Sequence, residues 1–246
     1  ASLIRAKSAM FPSPHTKSQR IASWSLAILV SVSFYLGPFL LFLPFALYAF
    51  YPILATHMFL LNVFLAFYPV GDWQQFRSLF QLWYELFDLR TNMDKKTCKN
   101  IVKENSLSIL AMHPHGIIPL HALLWGGFCT QMMPEFYGVG ASTSIALRLP
   151  VLRQILRFMG VVSTQKKALI HSMQVEDKGL LILPGGVAEI FLSHRRRTVS
   201  NVGNVRDVRQ GNLQSIKAKR YGLMKLSLQT GAAITPAYVF GATDLF

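Results

Sequence analysis

Between Ile21 and Gly71 the chain contains no Asp, Glu, Lys or Arg, and its only ionisable side chains there are His57 and the tyrosines. A bilayer core takes roughly 20 apolar residues per helix, so this run is long enough for two passes. Gly37, Pro38, Pro44 and Pro52 interrupt it. Proline removes a helical hydrogen bond and clashes with the preceding turn, so residues 21–71 are expected to form a hairpin, spanning twice or re-entrant, with its turn near Pro44. Arg5, Lys7, Lys17 and Arg20 precede the run, and Arg77, Arg90, Lys95, Lys96 and Lys99 follow it. The positive-inside tendency then puts both outer ends on the cytosolic side. A cleaved signal peptide does not fit, because the run is several times longer than a signal's apolar region and begins only after residue 20.

The formal charge of +14 raises the question of nucleic acid. No recognition motif accompanies the charge, whereas an apolar hairpin does, so lipid headgroups or a polyphosphate substrate account for it better. Apolar side chains make up 52% of the chain, too many for an average soluble domain. Cys98 and Cys129 show neither metal-ligand nor CxxC spacing, which indicates a reducing compartment without a disulfide framework.

Residues 1–20 read as a basic cytosolic segment before the hairpin. In 72–104, Trp73, Phe76, Phe80, Trp83 and Phe87 recur at steps of three and four, predicting an amphipathic helix at the membrane interface, followed by the polar linker "TNMDKKTCKN". From residue 105 to 246 apolar strands alternate with helices. "SLSILAM" and "GLLILPGG" are continuous apolar runs, the pattern of buried strands, and "YGLMKLSLQTGAAITPAYVF" reads as helix, glycine stop and strand. The predicted fold class is α/β, a largely parallel sheet covered on both faces and anchored by the N-terminal hairpin.

In such sheets functional residues gather beyond the carboxyl ends of strands. His113 and His115 follow the first apolar run, and Glu189 follows the second, so their loops are expected to face each other. His115 is read as lying where the next helix begins, beside the Gly116 and Ile117 amides, whose partial positive charge keeps the ring neutral and able to take a proton. Glu189 is the candidate to orient that base. Gly185 and Gly186 allow backbone N–H groups to approach an oxyanion, and Arg195, Arg196 and Arg197 are candidates for phosphate or headgroup contact.

"HPHG", "RLPVLRQILRFMGVV", "LPGGVAEIF" and "RYGLMKLSLQTGAAITPAYVFG", in this order after an apolar hairpin, resemble the diacylglycerol acyltransferase type 2 family, which includes the monoacylglycerol acyltransferases. The resemblance covers roughly residues 20 to 246. It implies an O-acyltransferase that moves an acyl group from acyl-CoA, a co-substrate, to diacylglycerol, at the endoplasmic reticulum membrane and lipid droplets, with the catalytic domain facing the cytosol. It also implies that His113, Pro114, His115 and Gly116 form the catalytic signature, that Gly185, Gly186 and Glu189 form a second block, and that no cofactor or metal is needed. The family's domain extends past this point, so the C-terminal part is expected to be missing. A Tyr-Phe-Pro motif usual after the anchor is absent, and Ala242 stands where the family usually has Glu.

Related glycerophosphate acyltransferases carry His-x-x-x-x-Asp; here Leu120 and Ile118 occupy the fifth position after His115 and His113, which argues against a phosphorylated acceptor. The expected partners are acyl-CoA, diacylglycerol and membrane lipid, with self-association left open. Monoacylglycerol or a long-chain alcohol remains an alternative acceptor. Two other readings stay open: a metal site built from His113, His115, His121 and Glu189, and a non-catalytic lipid-binding protein whose histidines cap a helix.

Overall fold

The computed structural model describes residues 16–87, 107–116, 119–132, 139–192, 216 and 219–242. The N-terminal segment before Thr16, the polar linker and Arg195–Arg197 lie outside the described residues.

Five parallel strands form one sheet in the order β3-β2-β4-β1-β5: β1 (Ser108–His113), β2 (Val139–Ser142), β3 (Val162–Ser163), β4 (Leu180–Ile182) and β5 (Ala233–Tyr238). β1 is buried on both faces, which explains its unbroken apolar sequence. Leu110 and Met112 point to one core, with Leu181 of β4; Ile109 and Ala111 point to the other, with Leu180. The second core is closed by α7 (Lys166–Gln174) and α9 (Tyr221–Thr230), through Leu169, Met173, Leu223 and Leu226. Gly231, at φ 71°, stops α9 and lets the chain turn into β5.

The first core is closed by the N-terminal half of α1 (Lys17–Leu47), the aromatic segment, α5 (Leu120–Met132) and α6 (Leu152–Phe158). The aromatic segment differs from the single interfacial helix expected. It forms α3 (Gln74–Leu79), one 3-10 turn (Phe80–Leu82) and α4 (Trp83–Leu86), and Phe80 and Trp83 are fully buried. Trp83 Nε1 donates to the Ser23 carbonyl at 3.0 Å, and Ser23 Oγ donates to the Leu82 carbonyl at 2.8 Å. The three- and four-residue spacing is therefore a core stripe onto which α1 docks.

The hairpin is also arranged differently from expectation. Pro44 lies inside α1, and the chain reverses at Tyr48–Tyr51, so that α2 (Pro52–Phe67) starts with Pro52 where a missing N–H costs nothing. The bend in α1, 50° between Lys17–Ser33 and Tyr35–Leu47, falls four residues before Pro38, the position whose carbonyl a proline ring would strike in a straight helix. Among the described residues no single helix is long and apolar enough to cross a membrane, while the two parts of α1 pass that test together. The hairpin surface is predominantly apolar: Phe42 and Phe45 are each 68% exposed and Phe67 80%.

Pro44 has no N–H to offer the Leu40 carbonyl. Asn62 of α2 supplies the donor, with its Nδ2 at 2.7 Å from that oxygen. About one turn further on, at the C-terminal end of α2, Arg153 Nη1 donates to the Leu65 and Tyr68 carbonyls at 3.3 and 2.8 Å, and Gln154 Nε2 also donates to Leu65. These bonds satisfy the orphan carbonyls of the helix end and tie the hairpin to α6.

A double-mutant cycle checks the role of Asn62. Asn62→Leu should lower the unfolding free energy in detergent by about 1 kcal/mol, because Leu40 loses its donor. In a Pro44→Ala background residue 44 regains its own N–H, and the same change should cost clearly less.

Candidate active site

The carboxyl ends of β1 and β4 lie side by side, since Ile109 pairs with Leu180 and Ala111 with Ile182. His113 is the last residue of β1. The turn after β4 leads into α8 (Gly186–Leu192), whose first turn carries Glu189. The two predicted loops thus meet, and Glu189 is fully buried between them.

Its carboxylate holds both histidine positions. His113 Nδ1 donates to Glu189 Oε1 at 2.9 Å, and the His115 backbone N donates to Oε2 at 2.9 Å. Glu189 therefore orients the His113 ring and the His115 main chain, and it does not contact the His115 ring as expected. That ring is fixed by its neighbour: Nδ1 lies 2.7 Å from the Gly116 carbonyl oxygen. A carbonyl only accepts, so Nδ1 carries the hydrogen, and in the neutral ring Nε2 holds the lone pair.

The helix-end explanation for a neutral His115 does not hold, because α5 starts at Leu120. Pro119 immediately before that helix, and Gly116 at φ 66°, displace the start beyond the histidine loop. What the structure fixes is the tautomer, through the Gly116 carbonyl.

The glycine pair also shapes the turn that carries Glu189. A Cβ on Gly185 would sit 1.9 Å from Glu189 Oε2, so the missing side chain is what lets the carboxylate fold back towards β1. The Gly186 N–H is engaged by the Leu183 carbonyl at 3.2 Å, and Gly186 itself takes a left-handed φ of 53° that suits glycine. Its amide is committed to the turn. Arg220, just before α9, donates from Nη2 to the Gly185 carbonyl and so braces the same turn. Arg220 is a functional position that the sequence pattern does not reveal, because a lone arginine at a helix start gives no signal until the turn it grips is located.

His115 lines a cavity of about 270 Å³ that neither His113 nor Glu189 lines. Ser142, Thr143 and Thr164 add hydroxyls at the carboxyl ends of β2 and β3, and Leu123, Leu156, Met159, Val161 and Leu181 give an apolar interior. Among the described residues, no group of three or more His, Cys, Asp or Glu side chains could hold a metal ion. His121, offered as a ligand in that alternative, is buried with no hydrogen-bond partner on either ring nitrogen.

A model of the family described as diacylglycerol acyltransferase matches residues 69–246, which contain the whole sheet and every residue of this site. The chain belongs to that family. Relatives of this family member include the mouse Diacylglycerol O-acyltransferase 2-like protein 6, 29% identical over 59% of this chain and 42% of its own length. Diacylglycerol O-acyltransferase 1 of Schizosaccharomyces pombe is 30% identical over 56% of this chain and 37% of its own. The bovine 2-acylglycerol O-acyltransferase 1 is 28% identical over 56% and 38%. The chain thus matches less than half the length of each of these curated relatives. No solved structure matches it.

Burial holds the His121 pKa at about 4, well below the ordinary histidine value of 6.5, with the nearby His115 lowering it further. The ring is neutral in the fold but would protonate in the unfolded chain. Stability linked to His121 is therefore intact above pH 6.5 and is lost as the pH falls towards 4, by an amount on the order of 3 kcal/mol. Unfolding of the parent and of His121→Leu, followed across this range, should show a shallower acid slope in the variant.

Proposed function

We propose that this chain is the acceptor-activating part of an acyl-CoA:diacylglycerol O-acyltransferase, with His115 as the general base. The observation that carries the reading is a buried carboxylate that fixes the histidine loop so that His115, with Nδ1 occupied by Gly116, stands at the wall of a largely apolar cavity. Family membership and the acyl acceptors in the relatives' names support the reaction class.

In this mechanism His115 Nε2 takes the proton of the acceptor hydroxyl while that oxygen attacks the thioester carbonyl carbon. The tetrahedral oxyanion collapses, the C–S bond breaks, and the CoA sulfur leaves with the proton returned from the imidazolium. An ester and free CoA result, with no net change in protons. Glu189 is a positioning residue: it keeps the loop in register through the His115 amide and the His113 ring. Diacylglycerol is preferred over glycerol 3-phosphate because no His-x-x-x-x-Asp dyad follows either histidine. Monoacylglycerol and long-chain alcohols are the alternative acceptors.

A second reading is favoured by one contact. The His113–Glu189 pair has the base-and-carboxylate geometry of nucleophilic triads, which would make His113 the proton acceptor. Its absence from the cavity wall is the reason to place it second.

Assay of the full-length protein with labelled acyl-CoA in membranes separates these. His115→Ala should lower turnover about a hundredfold to ten-thousandfold at normal protein level, with Glu189→Gln following it. Near-normal turnover in His115→Ala, with loss in His113→Ala at equal expression, would move the base to His113. Triacylglycerol, and not lysophosphatidic acid, is the expected product.

We further infer that the hairpin sits in the endoplasmic reticulum membrane with both ends cytosolic, supported by its charge-free length and flanking basic residues. Tags at residue 1 and near Arg90 should both be open to protease in intact microsomes; protection of just one would refute the hairpin.

A further inference from the structure

The geometry points to the cavity behind His115 as the seat of the donor's acyl chain, with Gly126 and Met159 setting the chain length it accepts. This rests on the acyl-transfer reading above and adds to it the specificity determinants.

The cavity is polar at one edge only. His115, Ser142, Thr143 and Thr164 all follow the carboxyl ends of parallel strands, so they share one side of the sheet. α5 then runs back towards the amino ends of those strands, as a helix linking parallel strands does. Gly126 is six residues into that return from Leu120, about 9 Å behind the rim at the helical rise. Here the walls are Leu123, Gly126, Leu156, Met159, Val161 and Leu181, with no side chain that can hydrogen-bond well. A substrate with one reactive polar end and one unbranched apolar tail matches this division.

Size selects the donor. At about 270 Å³ the space falls just under the range of roughly 300–1,000 Å³ usual for small-molecule sites, room for a single tail of medium length and too small for the two chains of diacylglycerol. Seating the acyl tail here brings its thioester to the His115 edge.

The wall at Gly126 is a fitted pair. A Cβ on Gly126 would come within 2.6 Å of Met159 Cε, so the methionine methyl occupies the place of the side chain that Gly126 lacks. Met159 is buried, unbranched and flexible, so it can yield to an added atom by moving into the cavity. Trimming it deepens the space; adding a carbon at Gly126 shortens it.

The test is an internal competition. Full-length protein in microsomes receives a mixture of saturated acyl-CoAs from hexanoyl to stearoyl with a fixed diacylglycerol, and product chain lengths are read by mass spectrometry. Because ratios are compared, the result does not depend on how much of each variant folds. Met159→Ala should shift the product towards longer chains and Gly126→Ala towards shorter ones, by about fourfold in selectivity for each methylene gained or lost. Unchanged ratios in both variants, from a parent that transfers acyl groups, would overturn the inference and leave the reaction class standing. So would a second competition, among diacylglycerols of different chain length with a single acyl-CoA, in which the variants change the acceptor preference while the acyl ratios stay unmoved. A parent that makes no acyl ester would instead refute the reaction class, and the chain-length assignment with it.

Discussion

The carboxylate of Glu189 is the interaction on which the site depends. A fully buried carboxylate is costly unless its oxygens are matched by donors. Here one oxygen takes the His113 ring and the other takes the His115 amide, so the group's own desolvation demands that the two loops stay together. The surrounding features follow from that demand. Gly185 is bare because the carboxylate occupies the space of its Cβ, Gly186 takes the left-handed turn that starts α8, and Arg220 grips the turn from the start of α9. The β1–β4 pairing brings the two strand ends into register and makes the contact possible across 76 residues of sequence.

A related constraint governs the hairpin. Backbone groups without water nearby have to find partners within the protein. Pro44 leaves the Leu40 carbonyl without its helical donor, and Asn62 replaces it from the facing helix. Arg153 and Gln154 serve the carbonyls at the end of α2 in the same way, while Ser23 and Trp83 join α1 to the aromatic segment. Polar side chains in an otherwise apolar region are thus spent on backbone repair and on fixing the hairpin to the α/β domain. α6 stands between the two, with Arg153 and Gln154 bonded to the hairpin and Leu156 in the cavity wall. The apolar surface and the cavity are therefore joined through one short helix.

The aromatic segment shows how one pattern supports two structures. Rings at steps of three and four mark a face that avoids water, and that property is shared by a helix lying on lipid and a helix packed into a core. Phe80 and Trp83 take the second course because α1 returns over them. The same ambiguity explains the turn of the hairpin. Pro38 and Pro44 each disfavour helix and Pro52 suits a helix start, but where the reversal falls depends on which missing hydrogen bonds another element can replace.

Composition and pattern by themselves determined the charge-free hairpin, the parallel strands with continuous apolar runs, and the gathering of His113, His115 and Glu189 at strand ends. These are consequences of local chemistry: unbroken apolar runs bury on both faces, and a glycine in the left-handed region, as at Gly231, stops a helix and lets the chain turn into a strand. Which group touches which was decided only by tertiary structure. Glu189 could be expected near a histidine, but only the strand register directs it to the His113 ring and the His115 amide; the Gly116 carbonyl, not a helix end, fixes the His115 tautomer. The Gly185–Glu189 and Gly126–Met159 fits are likewise invisible in sequence, because close packing between side chains depends on distances of a few tenths of an ångström that residue order does not encode.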